Sequence, residues 1–307
     1  MNISAALVKE LRERTGSGMM ECKKSLVEAG GDLDAAIEIM RKAGLAKADK
    51  KSSRTAAEGR LAVKSSSDGK RAVVIEINSE TDFVAKNDDF IAFADAVAQT
   101  VLEAGAGSVA EVLSLNLAGT NVSVDESRKE LVAKLGENIN VRRFERYESA
   151  NGLVASYLHG TRIGVLVETK GGDAALGKDI AMHVAASKPV CVDESGVSVD
   201  LIAKEREIAL AQIEAEENEK PEDKRKPADL IQKIADGKIK KFLGEITLLG
   251  QPFVKDDKQT VGALLKSKGA SVVRFTRLEV GEGIEKEESN FAEEVMAQAG
   301  LRQPLDS

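Results

Sequence analysis

The hydrophobic pattern changes its period between residues 71 and 101. Residues 71–77 alternate between apolar and other positions, which predicts a strand with Val73, Ile75 and Ile77 on one face. The spacing then becomes four, three and four, which predicts one buried stripe of a helix: Phe90, Ala94, Val97 and Val101. Between them, Thr81 or Asp82 has a short side chain suited to capping that helix.

Phe83 stands beside the predicted cap, at the corner between strand and helix. One interpretation is that it packs under its own corner. The other is that it forms an apolar wedge presented to a second molecule. Spacing alone favours packing, because most phenylalanines are buried.

The same order of elements recurs at an offset of roughly 90 residues, which indicates an internal duplication of a β-hairpin followed by a helix. The first copy has strands at 59–64 and 71–77, joined by an Asp-Gly turn, and the second has strands at 152–157 and 162–168 with a helix at 180–185. The second copy carries Lys-Gly-Gly-Asp at 170–173, where the first carries Thr81, Asp82 and Phe83. Since the repeated unit does without this phenylalanine, the comparison shifts the interpretation of Phe83 towards a function.

The spacing of apolar residues in 1–50 predicts three short helices, with Ser4 and Asp32 as caps. Met19 and Met20 follow the first glycine-rich break. Two adjacent methionines cannot both face one helix core, so either one is exposed to a partner or both tuck under the turn. Residues 46–60 are basic and rich in small side chains, which predicts a linker.

The remaining pattern predicts further elements along the chain. We expect helices at 109–117 and 126–135, a strand at 141–146, a loop at 250–254, a short helix at 261–266, a strand at 272–280 and a last short helix at 291–299. Helical segments at 199–213 and 228–242 flank a charged stretch with two prolines. This arrangement predicts an antiparallel helical hairpin that projects into solvent.

Composition changes this picture little. The 307 residues are 42% hydrophobic and 31% charged, with a net charge of −7. That average argues mildly against a protein that grips phosphates over a broad face, although a local basic patch is compatible with it. Two distant cysteines without a CxxC motif fit a reducing compartment, and neither a membrane span nor a signal peptide is indicated, so we predict a cytoplasmic protein.

No motif for catalysis is present. The sequence lacks a P-loop, GxGxxG, HExxH and GxSxG. His183 lies among apolar neighbours of a predicted helix, and His159 lies at a hairpin turn without a nearby Asp or Cys. We therefore predict that the chain is not an enzyme and has no cofactor, metal site or catalytic residue.

Several stretches, in this order, resemble the bacterial elongation factor Ts family over nearly the whole chain. They are LVKELRERTG at 7–16, GMMECKK at 18–24, TDFVAK at 81–86, GENIN at 136–140, HGTRIGV at 159–165, HVAASKP at 183–189, GQPF at 250–253 and EVGEGIE at 279–285. The resemblance implies a guanine nucleotide exchange factor that promotes GDP release from elongation factor Tu during translation elongation.

The resemblance also implies site residues. The match to the part that dislodges magnesium from the partner is Thr81, Asp82, Phe83 and Val84. The implied partner contacts are Arg12, Met19, Met20 and Lys23 in the N-terminal module, His159 and Val254 in the core, and Met296 in the last helix. The implied partner is elongation factor Tu, GDP-bound or nucleotide-free, with no membrane or nucleic acid and with a possible homodimer within a larger complex.

We therefore expect an α+β protein. Its expected parts are a ubiquitin-associated-like three-helix module with linker (1–55), a duplicated hairpin-plus-helix core (56–147, then 148–192 with 243–284), an inserted helical hairpin or coiled coil (193–242) and a C-terminal helical module (285–307). The alternative is an RNA- or protein-binding multidomain adaptor without exchange activity, which would use the basic linker and the N-terminal module.

Overall fold

A computed structural model describes residues 3–285, apart from the side chains of residues 45–47 and 223. These residues form a mixed α+β fold. Its helices are α1 (Ala5–Thr15), α2 (Met19–Glu28), α3 (Leu33–Lys51), α4 (Asp82–Ala85), α5 (Asp88–Ala104), α6 (Val109–Ser114), α7 (Val124–Leu135), α8 (Ala174–Ser187), α9 (Val199–Asn218), α10 (Ala228–Ile246) and α11 (Val261–Ser267). The helix predicted at 291–299, with Met296, lies outside the described residues.

Within residues 3–285, eight strands form three antiparallel sheets. They are β1 (Glu58–Ser65), β2 (Arg71–Ser79), β3 (Ile139–Glu148), β4 (Leu153–His159), β5 (Ile163–Lys170), β6 (Pro252–Phe253), β7 (Asp256–Thr260) and β8 (Ser271–Glu279). The strand orders are β1-β2-β3, β4-β5-β8 and β6-β7. The loop predicted at 250–254 contains the two-residue strand β6, and its partner β7 was not predicted. The charged sequence of β7 does not alternate between apolar and polar residues, so it gave no strand pattern.

The two three-stranded sheets pack face to face. Their shared core is built from Leu61, Ala72, Val74 and Tyr147 of the first sheet and Val154, Leu166 and Leu278 of the second. On its outer face the first sheet is covered by α5 and α7, and the second is covered by α8. The order of layers is therefore helix, sheet, sheet, helix.

Strand β2 corrects the prediction of a single buried face. The stripe of Val73, Ile75 and Ile77 packs under α5 as expected. The alternate residues Ala72 and Val74 are also buried, against the second sheet. A strand with packed layers on both sides reads as a continuous apolar run, so the alternation identified the register without showing the second layer.

Glu76 is a fully buried carboxylate on β2. It accepts hydrogen bonds from Arg143 Nε at 2.6 Å and from Arg142 Nη1 at 3.0 Å, both on β3. The Gly281 N–H, just beyond β8, donates to the same carboxylate at 2.8 Å. Glu76 therefore joins the first sheet to the end of the second.

Helix α3 is longer than predicted and removes part of the expected linker. It continues to Lys51, six residues into the basic stretch. Arg41 pairs with Glu126 and Glu130 on α7, the second of these at 3.0 Å. Within the basic stretch itself, Asp49 pairs with Lys129 Nζ of α7 at 3.3 Å, so contacts with a neighbouring helix accompany a segment whose own composition resembles a linker.

Helices α9 and α10 pack together through Ala209, Ile239 and Leu243. At the tip between them, the Glu217 carboxylate accepts hydrogen bonds from Lys220 Nζ and Lys226 Nζ, each at 2.8 Å. These bonds lower the pKa of Glu217 to about 2. The charged tip is thus organised around one carboxylate.

Within residues 3–285, no helix has the length and apolar character to cross a membrane.

Candidate partner-binding site

The corner after β2 contains two helices instead of the single one predicted. Thr81 caps the four-residue α4, where its Oγ1 accepts the Val84 N–H at 3.4 Å. The long helix α5 begins later and is capped by Asn87, whose Oδ1 accepts the Asp89 N–H at 2.9 Å. The prediction that Thr81 or Asp82 caps the long helix is therefore wrong, because the chain breaks and restarts between residues 85 and 88.

Phe83 projects from α4 with 81% of its surface exposed. The next two residues, Val84 and Ala85, are buried in the core under α5. Successive helical side chains point about 100° apart, so anchoring these two residues turns Phe83 outward. The interpretation that Phe83 packs under its own corner is wrong.

Asp82 precedes the exposed ring in the sequence and forms an ion pair within its own stretch of chain. Its carboxylate accepts a hydrogen bond from Lys86 Nζ at 2.6 Å, four residues along. This bond lowers the pKa of Asp82, which is therefore ionised at neutral pH. Asp82 and Lys86 thus form an exposed ion pair beside α4, and Phe83 is the exposed apolar side chain next to it.

Two carboxylates connect the corner to the turn after α7, which is distant in the sequence. Glu137, in the turn after α7, accepts the Thr81 hydroxyl at 2.6 Å and the Thr81 N–H at 2.9 Å. In return, the Glu80 carboxylate accepts the Asn138 N–H at 2.6 Å. Reciprocal bonds of this kind hold both chain segments in one relative position, so they set the direction in which α4 presents Phe83.

Glu80 and Glu137 were not identified as site residues from the sequence. Glu137 belongs to the GENIN stretch that carries part of the resemblance, but no local pattern assigns it a contact. Fifty-six residues separate it from Thr81. Only the packing of α7 beside α5 brings the two together.

The same turn also holds the segment that leads out of α3. Asn138 Nδ2 donates to the Arg54 carbonyl at 2.7 Å, and Lys51 Nζ donates to the Gly136 carbonyl. The Arg54 guanidinium pairs with Glu80 at 3.5 Å. Two cations of the basic stretch, Lys51 and Arg54, thus already have partners within the chain, which weakens the case for an RNA-binding linker.

The N-terminal candidates are all on the surface. Met19 is 59% exposed and Met20 78% exposed, so neither tucks under the turn. Arg12 and Lys23 are exposed as well. The turn between α1 and α2 lies against the end of α7, since a Cβ on Gly16 would come 2.8 Å from Lys134 Cε.

The core candidates lie at the turns of the second sheet. His159 is exposed at the β4–β5 turn, with its Nδ1 3.2 Å from the Tyr157 hydroxyl. Arg162 in that turn pairs with Glu58 at 3.0 Å, and Glu58 lies opposite Ser79 at the end of β2. The His159 turn and the Phe83 corner therefore share one end of the paired sheets.

Val254 lies in the turn between β6 and β7, with 48% of its surface exposed. Its N–H donates to His183 Nδ1 on α8 at 3.2 Å. His183 itself is fully buried, in agreement with its prediction as a packed helix residue. Met296 falls outside the described residues.

Among residues 3–285, no group of three or more His, Cys, Asp or Glu side chains is positioned to hold a metal ion. The carboxylates at the corner point into hydrogen bonds with Thr81 and Asn138. The candidate residues combine exposed apolar side chains with the exposed polar groups Arg12, Lys23 and His159, which suits contact with another protein.

Comparison with known proteins identifies the family. The family model described as Elongation factor TS matches residues 80–282. The chain is 65% identical to Elongation factor Ts of Methylococcus capsulatus, over 97% of this chain and 99% of the relative. It is 60% identical to that of Alkalilimnicola ehrlichii over 97% and 99%, and 54% identical to that of Xanthomonas oryzae over 98% and 100%. The chain belongs to the elongation factor Ts family.

Proposed function

We propose that this chain promotes GDP release from elongation factor Tu by dislodging the magnesium ion bound with the nucleotide. A member of the elongation factor Ts family is a guanine nucleotide exchange factor for elongation factor Tu and acts in translation elongation. Exchange breaks no covalent bond, so the chain is a binding protein in this role. The role is carried out in the cytoplasm, with GDP-bound and nucleotide-free elongation factor Tu as partners.

The observation that supports the magnesium step is the exposed Phe83 on a corner held by buried neighbours. Magnesium bridges nucleotide phosphates and protein oxygens, so its loss removes the largest local counter-charge. Phe83 need not touch the nucleotide. Inserted between elements of the partner, its ring shifts the groups that hold the ion, while Thr81 and Asp82 keep the wedge in place and Val84 anchors it.

Coupling between the two ligands is reciprocal: the factor weakens nucleotide binding as much as nucleotide weakens binding of the factor. A thousandfold weakening corresponds to about 4 kcal/mol. One buried phenylalanine contributes on the order of 2–3 kcal/mol. Contacts by Arg12, Met19, Met20, Lys23, His159 and Val254, together with Met296, supply the remainder.

The test is release of a fluorescent GDP from purified elongation factor Tu, with this chain at catalytic concentration. We expect strong acceleration in magnesium buffer. We also expect the acceleration to shrink when a chelator has already removed magnesium, because the wedge then has no ion to displace. Equal acceleration with and without magnesium would contradict the magnesium step, and no acceleration would contradict exchange itself.

The support from Glu137 gives a second prediction. Replacing Glu137 with alanine leaves the Thr81 hydroxyl and N–H without their acceptor, so α4 no longer points Phe83 in one direction. We expect GDP release at catalytic concentration to slow about tenfold, corresponding to loss of charged hydrogen bonds of about 1.5 kcal/mol. The same assay measures it, with amide hydrogen exchange at Val84 reporting whether α4 has loosened.

The matched control is Glu130→Ala on α7, which removes one ion pair with Arg41 and does not touch α4. It should exchange GDP at the normal rate. In a Phe83→Ala background, the Glu137 substitution should cause little further loss, since the side chain it positions is gone. Full additivity of the two losses would show that Glu137 acts elsewhere.

We also propose a division of the chain into domains. Residues 1–55 form a ubiquitin-associated-like module that touches the nucleotide-binding domain of the partner, and 285–307 form a second contact module. The core consists of a duplicated hairpin-plus-helix unit, 56–147 and then 148–192 with 243–284. The order of elements is the same in the two halves, β1-β2-α5 and β4-β5-α8, which supports the duplication. The inserted hairpin at 193–242 serves as a dimerisation or accessory module.

A further inference from the structure

Both ring nitrogens of His183 form hydrogen bonds inside the protein. Its Nδ1 accepts the Val254 N–H at 3.2 Å, and a backbone N–H only donates. The ring proton therefore lies on Nε2, which donates to Gln251 Oε1 at 3.0 Å. Burial lowers the pKa of His183, against a smaller opposing effect of its bond with Gln251, so the ring is neutral at neutral pH.

Gln251 extends this connection to two helix ends. Its Nε2 donates to the Glu245 carbonyl in the last turn of α10 at 2.8 Å, and to the Ser187 carbonyl at the end of α8 at 3.3 Å. All polar atoms of the Gln251 side chain are thus used inside the protein. The residue that orients His183 is itself held from three sides.

A second attachment lies one helical turn earlier on α8. Asp179 pairs with Lys255 Nζ at 2.6 Å, and Asp179 and His183 are four residues apart. Residues four apart share one face of a helix. The β6–β7 turn is therefore fastened to α8 by two adjacent residues, Val254 through its backbone and Lys255 through its side chain.

This fastening determines what the turn exposes. Phe253 is buried, with its ring centroid 6.0 Å from that of His183. The Val254 backbone faces His183, and its side chain is the half-exposed apolar group of the turn. An exposed valine without such support would sample several positions and would lose entropy on binding.

We propose that His183 is a positioning residue that fixes Val254 for contact with elongation factor Tu. The inference rests on the proposed function for the identity of the partner, whereas the tethering of Val254 is a property of the free chain. His183 contacts no partner atom in this scheme. It acts through the backbone of Val254.

The test compares His183→Leu, which has no acceptor, with His183→Asn, whose amide oxygen is placed to replace Nδ1. Amide hydrogen exchange in the free chain should show loss of protection at Val254 in the leucine variant and its retention in the asparagine variant. In the GDP-release assay, the leucine variant should need about fivefold more factor for half-maximal acceleration, as for one lost hydrogen bond. Its maximal rate should stay within about twofold of normal, because Phe83 is untouched.

Gln251→Met provides a second route if His183→Leu fails to fold. It removes the acceptor of His183 Nε2 together with the donor to the Glu245 and Ser187 carbonyls, but it leaves the bond between His183 Nδ1 and the Val254 N–H in place, so it should produce a smaller shift in the same direction. Val254→Ser should reproduce the fivefold shift, and combining it with His183→Leu should add little. Loss of Val254 protection with unchanged half-maximal concentration would overturn the positioning role. Failure of the normal chain to release GDP would instead overturn the proposed function, and the protection data would still report the tether.

Discussion

Replacing Phe83 with alanine is expected to slow GDP release from elongation factor Tu about 30- to 150-fold at catalytic concentration. The estimate converts the 2–3 kcal/mol or so that one buried phenylalanine contributes, at about 1.4 kcal/mol per tenfold change. The ring is 81% exposed in the free chain, so its apolar surface is available for burial in the partner. Stopped-flow release of a fluorescent GDP measures the effect.

The same substitution should leave the fold unchanged. Phe83 lies near the Thr81 cap, but its exposed ring is not the group that makes the cap bond, and truncating such an exposed side chain changes the free energy of unfolding by about 0.5 kcal/mol or less. Chemical denaturation of the variant should therefore superimpose on that of the normal chain. This separates a loss of contact with the partner from a loss of structure.

Val199→Ala is the matched control for Phe83. Val199 is exposed to the same degree, at 80%, and begins α9 in the inserted hairpin. Its truncation should not change the rate of GDP release from the partner. Normal exchange by Phe83→Ala would contradict the wedge, and an equal loss in both variants would indicate a general effect of removing exposed apolar surface.

Replacing Glu76 with glutamine is expected to destabilise the core by about 3–5 kcal/mol, the usual cost of breaking a buried ion pair. The change keeps the volume of the side chain but leaves Arg142 and Arg143 without their buried counter-charge. It also weakens the acceptor for the Gly281 N–H, which ties the end of β8 to the first sheet. Urea denaturation at neutral pH measures the shift.

The Glu76 effect should depend on pH in a defined direction. Burial alone would raise the pKa of Glu76, but hydrogen bonds from Gly281, Arg143, Asn78 and Arg142 outweigh it and lower the pKa below 4.5. A lowered folded-state pKa contributes stability above the unfolded pKa and loses it as pH falls through the folded value. The difference between the normal chain and Glu76→Gln should therefore shrink below about pH 4.5.

Glu148→Gln is the control for this prediction. Glu148 also pairs with a β3 arginine, Arg146, at 2.9 Å, but its side chain is largely exposed. Exposed pairs contribute about 0–1 kcal/mol, so this variant should unfold close to the normal midpoint. Equal destabilisation by both substitutions would mean that burial is not what makes Glu76 important.

The local features of this fold were predictable because neighbouring residues produce them. Ser4 and Asp32 cap α1 and α3 as expected, through bonds to N–H groups three residues along. The stripe from Phe90 to Val101 is the buried face of α5. Caps and periodicity depend on short stretches of chain, and those stretches are fully present in the sequence.

The break between α4 and α5 marks the limit of that reasoning. Thr81 and Asn87 are both good caps, and the pattern alone did not show that each begins a separate helix. What decides it is tertiary: Glu137 holds Thr81, and Val84 is drawn into the core. The exposure of Phe83 follows from these contacts. The sequence showed that a corner is present, but only the tertiary structure determines that the Phe83 side chain points outward from it.

The sequence by itself determined the main periodic elements, the Ser4 and Asp32 caps and, through motif order, the family. The tertiary structure decided which polar groups meet. Glu137 reaches Thr81 across 56 residues, His183 reaches Val254 across 71, and Glu76 reaches Gly281 across 205. Such pairs leave no local periodicity, because a buried carboxylate or imidazole finds its partner only when separate layers pack together.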